Sequence, residues 1–482
     1  MDFTQQEWDN CIKVLKILAK DPNKGLDINT LKGLVTKIHK TAKKQNKAKA
    51  FQDKAEAIIV STQNLPLDKI QKIITTQDIY KQYDSALRAK TALFQNYEQP
   101  PQYQVENEVF KGEFIYPKKC YDCSKPYRKA HFFYHLMCPE CADFNYLKRK
   151  QSCSLTGRVA LITGGRIKIG YLTALRLLRD GAKVWVTTRF AKDCAKRFSE
   201  EVDFDNWSDR LSVVALDLRN LKAVQEFIDF LLENETHLDI IINNAAQTVK
   251  RPEAFYAHLF AFEQQNKANL PPNLQKIMPL DTPFHYLDGF SEQKLLPYAT
   301  ETYFPKGLFD KDNQQIDHRP VNSWTLRLGE VPVIEMLETQ LVNVTAPFML
   351  NSALKPLLCQ SPFERKFIVN VSAMEGQFNR SSKTPFHPHT NMAKAALNMM
   401  TRTSAQDYAV DNIFMNSVDT GWITQENPHP KKERLYQEEG FVPPLDEIDG
   451  MARIYDPIVS GINNPEIPLF GHFLKDYKPY LW

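Results

Sequence analysis

The chain has 482 residues, 43% hydrophobic and 24% charged, with a formal net charge of +4. That length exceeds one ordinary domain, and the composition is that of a globular chain with enough apolar material for a sizeable core. The charge excess is too mild to mark a nucleic-acid-binding or membrane-surface protein.

Met1 to Lys13 is polar and carries Asp2, Glu7 and Asp9. It has neither the basic and apolar regions of a secretory signal nor the arginine richness of a transit peptide. No apolar run is long enough to span a bilayer. With no secretion signal, the eight cysteines are expected to stay reduced, in a cytoplasmic setting and without a disulfide framework.

Residues 1–105 read as a helical region. Trp8, Ile12, Leu15 and Leu18 recur at the spacing of one helix face. Asp27 or Asn29 can cap a second helix through Leu31, Leu34 and Ile38. Lys43, Lys44, Lys47 and Lys49 read as a solvated helix face. No aromatic residue is interleaved with them for base stacking, so nucleic-acid binding is the weakest functional reading. Pro100-Pro101 marks a linker.

Residues 110–150 carry Cys120-x-x-Cys123 and Cys138-x-x-Cys141. Two such pairs supply four thiolates suited to one tetrahedral Zn²⁺, as in a zinc-ribbon-like module. A rubredoxin-like iron site is the chemical alternative. His131 and His135 lie between the pairs, but a complete four-cysteine set leaves them no vacancy. A closed site does not activate water, so the metal is expected to pin a small, core-poor segment.

From 155 to 482, strands and helices alternate. Arg158 to Thr163, Lys183 to Thr188, Leu211 to Leu216, Leu238 to Ile242, Lys366 to Val371 and Ile413 to Val418 read as buried strands. Helical stretches separate them, the first from Gly170 to Arg179. This pattern predicts an α/β fold, a Rossmann-type doubly wound parallel sheet covered on both faces. The connection between Ala246 and Asn343 is far longer than a crossover needs. Its excess, about residues 248–335, leaves the sheet at the carboxyl end of a strand, where ligands bind in such folds. It holds Phe284, His285, Tyr286, Tyr298 and Tyr303, and reads either as a substrate lid or as an oligomer-contact insertion.

The first strand runs into Thr163-Gly164-Gly165-Arg166-Ile167-Lys168-Ile169-Gly170. A glycine-rich turn between strand and helix brings backbone N–H groups and the positive helix end to a pyrophosphate. With the motifs that follow in order, Gly157 to Thr424 resembles the short-chain dehydrogenase/reductase family. Thr163, Gly164 and Gly170 match that family's phosphate loop, and Arg166 and Ile169 lie within it. Lys168 stands where the middle glycine belongs, set either to crowd a pyrophosphate or to pair with it. Arg189, after the second strand, resembles the NADP-selecting pattern, since a guanidinium matches phosphate with paired hydrogen bonds. NAD is the less favoured cofactor. Asp217-Leu218 stands where the family contacts adenine. Asn244-Ala245, within Asn243-Asn244-Ala245-Ala246, resembles the family's Asn-Asn-Ala-Gly. Gly421 and Thr424 resemble its final motif, with Thr424 at the nicotinamide-amide position.

The resemblance also implies a catalytic asparagine, serine, tyrosine and lysine. Asn343 and Lys394 match. Thr390 stands at the tyrosine position and Ala373 at the serine position, with Ser372 one residue early. A tyrosine hydroxyl starts near pKa 10 and a neighbouring cation can lower it, whereas a threonine hydroxyl orients but is a poor general acid. His389 has a suitable intrinsic pKa, but it is turned about 100° from Thr390 around a helix. It reads as a helix-start residue beside Pro388. Tyr286, Tyr298 and Tyr303 are candidates for supplying the missing hydroxyl. The expected function is an atypical NADP-dependent oxidoreductase acting on an unidentified small carbonyl or alcohol. The alternative is a cofactor-binding pseudoenzyme, a sensor or scaffold. Family members often dimerise or tetramerise, so a homo-oligomer is a further expectation.

Overall fold

The computed structural model describes residues 4–20, 83–102, 110–280, 302–379, 383–424 and 426–482. The chain divides after Gln82 into two units. In the first, helix α1 (Gln5–Lys20) carries the predicted Trp8 to Leu18 face. Its start is a capping box: Glu7 N–H donates to Thr4 Oγ1 over 3.3 Å, and Thr4 N–H donates to the Glu7 carboxylate over 2.7 Å. The second expected helix and the Lys43 to Lys49 stretch lie outside the described residues, as do Phe284, His285, Tyr286 and Tyr298.

The second unit begins with a short helical stretch at 83–89 and a single turn at Ala92–Gln95. An antiparallel pair follows, β1 (Phe110–Lys119) with β2 (Pro126–His131). Helix α2 (Pro139–Lys148) then leads to the main sheet.

That sheet contains β3 (Val159–Thr163), β4 (Lys183–Thr188), β5 (Leu211–Ala215), β6 (Ile240–Asn243), β7 (Lys366–Ser372), β8 (Ile413–Asp419), β9 (Phe473–Lys475) and β10 (Lys478–Tyr480). The spatial order is β10-β9-β8-β7-β6-β3-β4-β5, parallel throughout except for the antiparallel β9–β10 edge. The six expected strands all occur, with ends shifted by at most two residues. Successive residues feed opposite layers, as the period of two requires. Ala160 and Ile162 of β3 join one core cluster, and Val159 and Leu161 join the other. Each fully buried aliphatic side chain contributes roughly 1.5–3 kcal/mol.

Helices α3 (Lys168–Arg179), α4 (Ala191–Ser199) and α5 (Leu221–Asn234) connect the early strands. The Asn220 side chain caps α5 by accepting from Ala223 N–H. The insertion contributes α6 (Glu253–Glu263). Beyond it come α7 (Val333–Gln340), a π-helical turn at Leu341–Thr345 and α8 (Ala346–Ala353). The long α9 (Pro388–Val410) precedes β8, and α10 (His429–Glu439) and α11 (Glu447–Asn463) follow it. The order of strand addition reverses between the parallel neighbours β3 and β6, so the connections leaving their carboxyl ends run to opposite sides and leave a crevice, the ligand position of an open α/β sheet.

The cysteine segment is packed onto this sheet domain. Its cluster of Phe114, Tyr127, Phe133, Tyr134 and Met137 is completed by Ile423 and Leu445. Arg149, almost wholly buried, pairs with Asp446 at 2.6 Å and Asp449 at 3.0 Å, the carboxylates that also form the capping box of α11. Tyr134 Oη donates to Asp449 over 2.5 Å.

Candidate active site and metal centre

At the β3 end, Thr163 Oγ1 accepts from the N–H groups of Asn244 and Ala245 at 3.1 and 3.0 Å. Asn244 Nδ2 donates to the carbonyls of Thr163 and Gly164. The phosphate loop and the Asn-Asn-Ala-Ala stretch are thereby joined. Gly164 has φ +72°, and a β-carbon there would lie 2.8 Å from Ala245 Cα. Only glycine fits that approach. Asn243 turns the other way, donating to Asn351 and Asn370 in the core.

Lys168, in the family's glycine position, has φ +54°. It keeps the left-handed conformation that glycine would adopt freely. Its ammonium lies 3.7 Å from Asp312 of the insertion. Burial lowers its pKa, but Asp312, Glu426, Asp310 and Glu447 outweigh that effect and raise it. Arg166 pairs with Asp193 at 2.8 Å and donates to Gln314 Oε1 over 2.7 Å. Ile169 packs between the main core and the cysteine module.

Arg189 stands at the end of β4, its guanidinium 4.8 Å from the ring centre of Tyr256 and bonded to that hydroxyl at 2.8 Å. Asp217 is buried and occupied by the Arg219 guanidinium at 2.6 Å. Leu218 beside it is buried in the core.

At the other end of the crevice, Asn343 lies in the π-helical turn, a distortion often found at functional positions. Its Oδ1 accepts from Gln247 N–H over 2.7 Å, and its Nδ2 donates to the Gln247 carbonyl. Lys394 is buried and donates to the Val371 carbonyl over 2.8 Å. Burial draws its pKa down to about 8, with Glu375 opposing. Gly376 lets the turn after β7 press onto α9, since a β-carbon there would lie 2.6 Å from the Lys394 carbonyl carbon. Ser372 is turned into the core, donating to Asn398 Oδ1 over 2.6 Å. Thr390 is buried with its hydroxyl unbonded among the described residues, and both ring nitrogens of His389 and both amide atoms of Gln377 share that condition. His389 is held near pKa 4 by burial, with His387 adding to the effect. Thr424 Oγ1 donates to Glu426 over 2.8 Å. Asp419, at the β8 terminus, is raised to about 6 by burial, reinforced by Asp476.

Sequence reasoning missed Asp312, Gln314, Gln377, Asn398 and Glu426. Gln377, next to Gly376 after a buried strand, carried the one local signal. The others are brought to the crevice by tertiary contacts.

The four thiols of Cys120, Cys123, Cys138 and Cys141 have sulfur atoms all within 4.8 Å of one another. Cys138 N–H donates to Cys120 Sγ over 3.2 Å, and Ser124 adopts φ +60° to turn the first knuckle. Four convergent sulfurs with an N–H directed at one of them fit a tetrahedral thiolate-bound ion. His131 and His135 point elsewhere. His131 Nδ1 accepts from Phe133 and Tyr134 N–H, and His135 Nε2 bonds the Val442 carbonyl at 3.1 Å. No helix among the described residues is long and apolar enough to cross a membrane.

Residues 158–271 match the family model "short chain dehydrogenase", and 324–439 match "Enoyl-(Acyl carrier protein) reductase". An uncharacterized protein of Acanthamoeba polyphaga mimivirus is 29% identical over 74% of this chain and 74% of its own length. Dehydrogenase/reductase SDR family member 13 of Bos taurus is 36% identical over 19% of this chain and 24% of its own. Retinol dehydrogenase 12 of Bos taurus is 35% identical over 22% of this chain and 34% of its own. The matches thus span 34% or less of these named dehydrogenases. A solved structure, the Pseudomonas aeruginosa RhlG/NADP active-site complex, is 19% identical over 66% of this chain and 94% of that one, at a TM-score of 0.42. The two family-model matches leave 272–323, within the insertion, unmatched, and the parallel sheet with its crevice between β3 and β6 is a Rossmann-like fold similar to that of short-chain dehydrogenases.

Proposed function

We propose that the chain is an atypical NADP(H)-dependent oxidoreductase acting on a small carbonyl or alcohol, with one structural zinc ion in its cysteine module. The observation that carries this reading is Lys394. It is a buried ammonium at the carboxyl end of β7, bonded to one backbone carbonyl and drawn to about pKa 8. Such a group is costly to a fold and marks a functional position.

The residues present fit the cofactor. Gly164 and the first turn of α3 offer backbone to a pyrophosphate, and Arg189 faces the side where a 2′-phosphate would select NADP. Thr424 and Lys394 are the groups for the nicotinamide side. When bound, the dinucleotide would supply the hydride. Lys394 would orient the ribose, and Asn343 would brace the Gln247 backbone at the crevice. Thr390 is too weak an acid to exchange the substrate proton, so that task falls to another group. Tyr303 is the described member of the three insertion tyrosines proposed for it. The four cysteines would hold zinc as a closed site, with no catalytic part.

A cofactor-holding pseudoenzyme is favoured by two observations: Ser372 is bonded into the core, and Asp312 faces the phosphate loop. NADPH oxidation against a panel of aldehydes and ketones separates the readings. Turnover lost in Lys394→Ala supports the enzyme. Tight NADPH binding without turnover on any member supports the sensor.

A further inference from the structure

Tyr121 lies inside the first Cys-x-x-Cys pair, and its side chain reaches out of the metal module. Trp422 N–H donates to Tyr121 Oη over 2.9 Å. Trp422 lies between Gly421 and Thr424, the residues aligned with the nicotinamide-side motif. The same loop sends Ile423 into the module's apolar cluster, beside Cys120 and Cys138. Gly421 has φ +80°, and a β-carbon there would lie 3.4 Å from Tyr121 Oη, so the loop backbone is seated against the phenol.

Residues 420–424 belong to no helix or strand. Their shape depends on such long-range contacts. The module end of the link is well anchored: Tyr121 N–H donates to the Leu136 carbonyl over 2.8 Å, and Cys120 N–H to the Lys125 carbonyl over 2.9 Å. Closure of the four sulfurs on an ion would fix the knuckle that carries Tyr121.

We propose that the cysteine module positions the nicotinamide-side loop through Tyr121, so that filling the four-thiol site raises the affinity for the nicotinamide half of the dinucleotide. This rests on the zinc and NADP(H) reading above. A loop already held in its binding shape loses less conformational freedom when ligand arrives. Tyr121 is a positioning residue, because it touches loop backbone and not ligand.

The test uses the full chain, with zinc content measured, titrated by calorimetry with NADPH and with 2′,5′-ADP. The second ligand carries only the adenosine half. Tyr121→Phe should retain zinc and bind 2′,5′-ADP within about twofold of wild type, while NADPH binding weakens roughly five- to tenfold, the scale of one lost hydrogen bond. Cys123→Ser should lose zinc and weaken NADPH binding at least as much, again sparing 2′,5′-ADP. Unchanged NADPH affinity in Tyr121→Phe overturns the proposal. So does an equal loss for both ligands, which is general loosening of the fold. A wild-type chain that holds no zinc, or binds neither ligand, removes the underlying reading instead, and the proposal falls with it.

Discussion

Gln314 of the insertion accepts a hydrogen bond of 2.7 Å from the guanidinium of Arg166 in the phosphate loop. The turn that presents Gln314 is closed by Asp310, whose carboxylate accepts from the N–H groups of Asp312 and Gln314. Asp312 then faces Lys168. Further along, Asn322 Nδ2 donates to the Glu426 carbonyl over 2.9 Å. The insertion is therefore fastened both to the glycine-rich turn after β3 and to the segment that follows β8.

The conformation of Lys168 gives the first prediction. A side chain in the left-handed region costs about 1 kcal/mol that glycine avoids. The partly exposed pair with Asp312 returns less than about 1 kcal/mol. Lys168→Ala keeps the strain and loses the pair, whereas Lys168→Gly loses both. In urea unfolding, Lys168→Gly should be more stable than Lys168→Ala by about 1 kcal/mol. Equal stabilities would show that the loop does not hold position 168 at positive φ.

Arg149 ties the cysteine module to α11. Replacing it with Met leaves Asp446 and Asp449 without their cation, and Asp449 is fully buried. Breaking a buried pair on one side costs about 3–5 kcal/mol. Arg149→Met should lower unfolding stability by about 3 kcal/mol. A change under 1 kcal/mol would mean that the module contributes little to the domain.

His389 predicts an acid-side loss of stability. Its folded pKa, about 4, lies below the ordinary value of 6.5. Between these values the unfolded chain binds more protons, so stability rises with pH across that window. The contribution is complete above pH 6.5 and is lost as pH falls toward 4. Denaturant titrations should show wild type losing on the order of 2 kcal/mol more than His389→Leu between pH 6.5 and pH 4. Parallel profiles would contradict the assignment.

Lys394 acts on the alkaline side. Its folded pKa of about 8 lies below 10.5. The unfolded chain therefore holds more protons between those values, and stability rises with pH across that range. The contribution is complete above 10.5 and is lost as pH falls through 8. At pH 7 the buried ammonium is a burden, so Lys394→Met should be more stable than wild type by on the order of 2 kcal/mol, an advantage that disappears near pH 10.5. The same variant should bind NADPH more weakly. Equal stability at pH 7 would show that the ammonium is well solvated.

The sheet was legible because its strands are short apolar runs between glycine and polar turns. Ile240, Ile241 and Ile242 announce β6, and Val184 to Val186 announce β4. β9 and β10 were not legible, being three residues each with no period to read. The β1–β2 pair was hidden by a half-exposed strand, Phe110–Lys119, with no clean alternation and a broken register. Within the candidate site, Asn343 and Lys394 were singled out by their resemblance to the family's motifs. The direction of Ser372 could not, because it is set by Asn398 on a packed helix. Lys168 was visible as a departure from the motif, but its acidic neighbours come from the insertion. Tyr121 gave no signal beyond its neighbouring cysteines, since its partner is a backbone N–H some three hundred residues away.

The central claim is a working NADP(H) site built on Arg189 and the phosphate loop. Calorimetric titration of the wild type and Arg189→Ala with NADPH and NADH tests it most directly. Wild type should bind NADPH at least about tenfold more tightly than NADH, and Arg189→Ala should abolish this preference while retaining NADH binding. Failure of the wild type to bind either dinucleotide, or equal affinity for both, would contradict it.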